Sequence, residues 1–81
     1  MDIIAYSDIT DEFIYDEIDN TLAQQDGLSN YDPSDEDMEE MRGLVLEYLA
    51  FDYKPLWADP VEYREEHVLE AIHRAVEEIC G

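Results

Sequence analysis

Residues 60–80, PVEYREEHVLEAIHRAVEEIC, carry the pattern that decides the predicted fold. Apolar residues recur there at intervals of three and four, as on one face of an α-helix, with acids beside them. The apolar face comprises Val61, Val68, Leu69, Ile72, Val76 and Ile79, and the acids are Glu62, Glu66, Glu70 and Glu77. Asp59 before Pro60 is typical of a helix start, with Glu62 placed to complete a capping box. We therefore predict a helix over 60–80.

A second helix is predicted over 33–52. Asp32 is the expected N-cap, Pro33 takes the first helical position, and acids follow in the first turn. Lys54-Pro55 ends the helix because proline disfavours helical geometry at the residue before it. One face gathers Met38, Met41, Val45, Tyr48 and Leu49, and the opposite face holds Glu36, Glu40 and Glu47.

A third periodic segment predicts a helix over 8–26. It begins near Ser7 or Thr10, and Gly27 is a good helix stop. Its apolar face holds Ile14, Ile18 and Leu22, and its acidic face holds Asp8, Glu12, Asp16 and Asp19. Residues 1–6 form either a short extended arm or an early helical turn.

Together these segments predict an all-α fold, a compact bundle of three main helices. The 81 residues are enough for one domain, here 1–81, with a small core. Apolar residues make up 46% of the chain, so it should fold despite its charge. That apolar content also suffices for a homodimer interface.

Acidity is the chain's strongest functional clue. It contains 23 Asp or Glu and four Lys or Arg, for a formal net charge of −19. The first 41 residues hold 14 of the acids and no base, and Arg42 is the first base. Like charges crowded on a small surface repel one another. A chain that tolerates this either lives where salt screens the repulsion or uses the charge.

The acids are arranged in rows along the predicted helices. Like-charged pairs four residues apart are Asp8/Glu12, Glu12/Asp16, Glu36/Glu40, Glu62/Glu66 and Glu66/Glu70. Each such pair costs roughly 0.2–0.5 kcal/mol in an isolated helix, so five cost about 1–2.5 kcal/mol. Charge kept for solubility alone does not require this arrangement, although net charge does favour solubility.

The charge is of the size that duplex DNA carries. DNA has one negative charge per roughly 1.7 Å of axis, so a length of about 30 Å, that of a 20-residue helix, holds about 18. Acids four residues apart on a helix are separated by about 6 Å of rise, a phosphate-like spacing. Basic DNA-binding channels gain affinity by neutralising phosphates. A rigid acidic bundle is therefore expected to occupy such a channel and exclude DNA.

In size, charge and acid rows (residues 8–19, 35–47 and 62–78) the chain resembles a functional class. This class is the small acidic DNA-mimicking proteins with which phages and mobile elements block restriction enzymes, CRISPR effectors, repair enzymes or nucleoid proteins. The resemblance implies a non-catalytic inhibitor without cofactor. Its implied partner is a basic nucleic-acid-binding protein or a nuclease, with no direct binding of nucleic acid.

The base-free half is expected to carry the inhibitory surface, because no positive charge there offsets the field that a basic partner meets. The predicted partner-binding acids are Glu12, Asp16, Asp19, Asp35, Glu36, Asp37, Glu39 and Glu40. Tyr15 and Tyr31, set among acids, are predicted to stack on aromatic or Arg side chains of the partner.

Two alternative functions remain. Ser7-Asp8-Ile9-Thr10-Asp11-Glu12-Phe13, followed by acidic helices, is similar to the start of the colicin-DNase immunity proteins. That resemblance implies a nuclease inhibitor or antitoxin, although Asp52-Tyr53-Lys54-Pro55 departs from the family's Tyr-Tyr-Pro turn at the second Tyr. The other alternative is an ordinary domain from a halophile, in which excess acid should be spread everywhere.

Other features exclude several classes of site. Cys80 is the only cysteine, so no internal disulfide forms, and His67 and His73 lie on different sides of their helix and make no metal site. The chain offers no phosphate-binding loop and no apolar run of membrane-spanning length. Without a secretion signal at residues 1–13 it is predicted to be soluble and cytoplasmic, within the host if phage-encoded.

Trp57, between the second and third predicted helices, has two interpretations. A Trp in such a loop usually packs on the core. Alternatively it is an exposed anchor in a partner or dimer interface, where Trp and Tyr are enriched.

Overall fold

The computed structural model describes residues 2–24, 33–53, 55–58 and 61–80. Three α-helices and a small sheet appear along the chain in the order β1, a 3₁₀ turn, α1, α2, β2, β3, α3. Their bounds are β1 Ile3–Ala5, the 3₁₀ turn Tyr6–Asp8, α1 Asp11–Gln24, α2 Asp35–Phe51, β2 Trp57–Ala58, β3 Val61–Arg64 and α3 Glu65–Cys80. The fold is mostly helical, as predicted, but the purely all-α expectation is wrong.

The segment that misled the sequence prediction is the start of the third helix. Residues 61–64 form β3, and α3 begins only at Glu65. Val61 and Tyr63 alternate with Glu62 and Arg64, a period of two that suits a strand. Four residues are too few to distinguish the period of a helix from that of a strand. Whether they form helix or strand therefore depends on whether other strands are available to pair with them.

Both partners precede β3 in the sequence, β1 near the start of the chain and β2 immediately before β3. The sheet order is β1-β3-β2, with both neighbours antiparallel to β3. β1 pairs Ile4 with Tyr63, and β2 pairs Trp57 with Glu62. The extended N-terminal arm anticipated for residues 1–6 is therefore a strand over Ile3–Ala5. The proposed capping box is wrong, since Glu62 lies in mid-strand; Asp59 and Pro60 are outside the described residues.

Helix starts are fixed by hydroxyl caps. Thr10 Oγ1 accepts from the Phe13 backbone N–H at 3.2 Å, which confirms Thr10 as a start signal for α1. Ser34 Oγ accepts from the Asp37 N–H at 3.1 Å, so the cap of α2 is Ser34 and the assignment to Asp32 is wrong. Asp32 itself, Gly27 and Lys54 lie outside the described ranges.

The first turn of α3 receives a hydrogen-bond acceptor from Asp2, the residue before β1. The backbone N–H of Glu65 donates to the carbonyl oxygen of Asp2 at 3.0 Å, which satisfies one of the donors that a helix start leaves unpaired. β3 moves the helix start from residue 60 to 65, and the segment that pairs with β3 also supplies part of the cap of α3 through Asp2.

The core lies around α3, which packs against α2 on its largest contact and also against α1. Ala71 and Ala75 are fully buried, and their small side chains let the neighbouring helices approach closely. The predicted core residues Ile14, Ile18, Leu22, Met41, Val45, Leu49, Val68, Ile72 and Val76 are buried. Val61, predicted with them, is exposed and belongs to β3.

Tyr63 connects the sheet to the end of α2. The Tyr53 N–H bonds the carbonyl of Tyr48 rather than that of Leu49, and the Tyr63 hydroxyl donates to the Leu49 carbonyl at 3.2 Å. Burial, together with nearby Tyr6, raises the pKa of Tyr63, so this hydroxyl stays protonated at neutral pH. The sheet therefore supplies a donor to one of the last carbonyls of α2, beside the bond that the C-cap residue Asp52 makes to Tyr48.

Candidate functional site

The exposed side of α1 carries the first predicted acid row. Burial of Ile14 and Ile18 against the core turns the opposite side of the helix to solvent. Glu12, Asp16 and Asp19 are all exposed there. At 1.5 Å of rise per residue, the row spans about 10 Å along the helix.

The first half of α2 carries the second group. Asp35, Glu36, Glu39 and Glu40 are exposed, and Asp37 is half-buried. Three of these acids, Asp35, Glu36 and Asp37, lie in the first turn, where the partial positive charge of the helix N-terminus stabilises them. Glu39 and Glu40 lie further along, so this local effect accounts for only part of the cluster.

The two groups are brought together by antiparallel packing of α1 on α2. Arg42 of α2 reaches Asp11 at the start of α1, with Nη1 and Oδ1 3.4 Å apart. One turn later, Tyr15 joins Asp35, Met38 and Glu39 around a shallow open depression. The sequence placed Tyr15 among acids, and tertiary packing adds acids from the second helix.

Tyr15 is half-buried and packs against the core, so only part of its ring is available to a partner. Tyr31, the other aromatic predicted for the site, lies outside the described residues. Of the two aromatic residues predicted for the site, the structure therefore describes Tyr15.

Arg42 qualifies the expectation that the N-terminal half has no positive charge to offset its field. Its guanidinium neutralises Asp11, which was not among the predicted site acids. Among the described residues, no ion pair involves any of the seven exposed site acids. These seven are Glu12, Asp16, Asp19, Asp35, Glu36, Glu39 and Glu40.

The acids in and before α3 do not form the continuous helical row that the sequence predicted. Glu62 is not part of a helical row: its Oε1 accepts from Trp57 Nε1 at 2.6 Å. Glu66 pairs with Arg64 at 3.3 Å. Only Glu70 and Glu77 remain of the predicted row as exposed acids without an ion pair in the described part of the chain.

Sequence reasoning missed a cluster of side chains around Arg74 at the end of α2. Arg74 Nη1 lies 3.1 Å from Asp52 Oδ2, and its guanidinium lies 4.2 Å from the centre of the Tyr48 ring. Tyr53 stacks against His67, with ring centres 5.3 Å apart. Arg42, Arg64 and Arg74 thus each pair with an acid of the same chain. The intervals from Arg42 and Arg74 to their acids, 31 and 22 residues, are too long for local rules to predict.

The described residues contain no group of three or more His, Cys, Asp or Glu side chains arranged to hold a metal ion. None of the helices in the same ranges is long and apolar enough to cross a membrane. Comparison of the chain with family models, characterised proteins and solved structures found no match.

Proposed function

We propose that this protein is a non-catalytic inhibitor whose carboxylates stand in for DNA phosphates and block the basic nucleic-acid-binding surface of a host defence, repair or nucleoid protein. The observation that carries the proposal is the combined acidic surface of α1 and the first half of α2. Its seven exposed acids lie on two packed helices and have no ion pair within the described ranges.

The dimensions and charge of the molecule support this proposal. The longest extent of the protein is 39 Å. A DNA duplex of that length carries about 23 phosphate charges, against a formal net charge of −19 here. The packed helices fix the backbone positions from which these side chains project, which lowers the entropy cost of forming the complex relative to a disordered acidic segment.

The distribution of charge favours this function over a general adaptation to salt. A halophilic domain is expected to carry excess acid over its whole surface. Here the nine residues of the three strands hold one acid, Glu62, and one base, Arg64. The excess of acid lies outside the strands, as expected of a surface directed at a partner.

The test is competition between this protein and duplex DNA for the same basic protein. Candidates are captured from bacterial lysate on the immobilised protein and identified by mass spectrometry, and each is then purified and titrated. We expect labelled duplex DNA to be displaced as this protein is added. Binding should also weaken as salt rises from about 50 to 200 mM, since the contacts are ionic.

Capture alone does not support the proposal, because so acidic a protein also binds basic proteins without specificity. A ternary complex containing DNA and this protein together would contradict it. Binding unchanged by salt would do the same. An immunity-type inhibitor that binds a nuclease beside its DNA cleft would give the ternary complex, so the experiment separates the two functions.

A further inference from the structure

The sheet has an outer face directed away from the core. Tyr63 is buried, and Ile4 beside it packs against the core, so these two define the inner face. Side chains alternate along a strand. The outer face is therefore formed by Ile3, Ala5, Trp57, Glu62 and Arg64.

Exposed apolar side chains concentrate on this part of the molecule. The described residues include five large apolar side chains that are exposed, and two of them, Ile3 and Trp57, lie on the outer face of the sheet. Two more lie beside the sheet: Val61 shares the face of Tyr63, and the Tyr6 ring lies 6.4 Å from the Tyr63 ring. The fifth, Phe51, lies at the end of α2. Single scattered apolar residues are ordinary on a surface, whereas two on one face of a nine-residue sheet favour a contact surface there.

The Trp57 side chain is held by a hydrogen bond while much of it stays exposed. Its Nε1–H donates to Glu62 Oε1 across the β2–β3 pair at 2.6 Å, while the residue remains 46% exposed. This bond satisfies the only polar group of the side chain within the monomer and fixes its orientation. A partner that covers the ring therefore pays little rotamer entropy, which favours Trp57 as an anchor.

Charge decides which partner fits this face. The strands have a formal charge of zero, since Glu62 and Arg64 cancel, although the chain as a whole carries −19. A basic partner is drawn to the acidic helices and gains no attraction here. A second copy of this chain, in contrast, is repelled by every acidic surface and meets the least repulsion at the sheet.

We propose that two copies of this chain associate through the outer faces of their sheets, with Ile3 and Trp57 of each copy at the contact. A two-fold arrangement is self-complementary, because it buries the same apolar residues on both copies. It also directs the acidic surfaces of α1 and α2 away from the contact. This interface does not depend on the proposed DNA mimicry.

Salt should affect this dimer in the direction opposite to its effect on a basic partner. Asp2 and Glu65 border one end of the sheet, and the remaining charge of each copy opposes association. At about 0.01 M salt charges act over roughly 30 Å, and at about 1 M over roughly 3 Å. Screening therefore removes repulsion between copies, and the dimer should tighten as salt rises.

The experiment is sedimentation equilibrium of the whole protein at these two salt concentrations over a range of protein concentrations. We expect a monomer–dimer equilibrium with at least tenfold tighter association in high salt. A monomer under all conditions would overturn the proposal, and so would a dimer that dissociates as salt is added or an assembly larger than a dimer.

Variants locate the interface. Trp57→Thr and Ile3→Thr keep strand-forming residues and remove apolar contact area, and each should weaken association at least tenfold. Phe51→Ser is the matched control, because Phe51 is 80% exposed and lies off the sheet. Thermal melting by circular dichroism checks that each variant is folded; should Trp57→Thr unfold, Ile3→Thr decides. The assignment would be overturned if a folded Trp57→Thr or Ile3→Thr variant associated as tightly as the parent. Loss of association in Phe51→Ser would overturn it as well.

Discussion

Along α1 and the first half of α2, exposed carboxylates follow one another at helical spacing, whereas the three strands carry one acid and one base in nine residues. On the helices, burial of one apolar stripe leaves a broad solvent face occupied by acids, with Arg42 as the one base in residues 11–24 and 35–43. On the sheet, Glu62 is held by Trp57, and Arg64 by Glu66. The charge is thus confined to some elements, and the two surfaces suit different partners.

The largest expected effect tests the helical surface. The variant Glu12→Gln, Asp19→Asn, Glu39→Gln, Glu40→Gln removes four exposed acids from α1 and α2. Exposed charge pairs contribute about 0.2–1 kcal/mol each, so binding to the basic target should weaken by about 1–4 kcal/mol. Affinity by calorimetry at fixed salt measures the loss.

The matched control neutralises Glu66, Glu70, Glu77 and Glu78 on α3, which changes the net charge equally. We expect this second variant to bind nearly as well as the parent. Equal losses of affinity in both variants would mean that net charge alone determines binding. The acids of α1 and α2 would then have no special role. A loss of affinity confined to the α3 variant would show that the partner binds α3 and that the assignment to α1 and α2 is wrong.

A smaller effect tests whether the sheet is integral to the fold. Tyr63→Phe removes the hydroxyl that donates to the Leu49 carbonyl and leaves a buried acceptor unpaired. The cost should be about 1–3 kcal/mol. For a domain of this size, 1 kcal/mol lowers the melting temperature by roughly 4–8 °C. Scanning calorimetry measures the change.

Tyr6→Phe serves as the control for this variant, because Tyr6 is 49% exposed, whereas Tyr63 is buried. Its melting temperature should match that of the parent. If Tyr63→Phe is equally silent, the bond between sheet and helix end contributes nothing to stability.

The smallest effect separates acids by their position on a helix. Asp35 and Glu36 lie in the first turn of α2, where the helix dipole stabilises a negative charge, while Glu77 and Glu78 lie in the last turn of α3, where it does the opposite. Each interaction is worth about 0.3–1 kcal/mol at low salt. Glu77→Gln with Glu78→Gln should therefore stabilise the protein more than Asp35→Asn with Glu36→Gln.

Thermal melts of both double variants in low salt measure this difference, and added salt should reduce it. Both changes relieve overall repulsion by the same two charges, so repulsion alone predicts equal melting temperatures. Equal values would mean that the field of the whole molecule outweighs the helix ends.

Periodicity alone predicted the three helices and most of their buried residues, since a stripe such as Ile14, Ile18 and Leu22 has one arrangement that hides it from water. The exposed acid faces followed as the complement of those stripes. Helix starts were less predictable because several capping residues lie close together. Asp32 and Ser34 are both good N-caps by residue type, and it is Ser34 that accepts from the Asp37 N–H.

The sequence by itself determined the helical core and the excess of acid, because both follow from residue type and local spacing. Tertiary structure decided that residues 61–64 form a strand, since Ile3–Ala5 supplies a partner from the far end of the chain, beside the local partner Trp57–Ala58. It also decided that Arg42 neutralises Asp11 and that Tyr15 lies beside the acids of α2. Contacts across such intervals depend on how the elements pack, which no local pattern encodes.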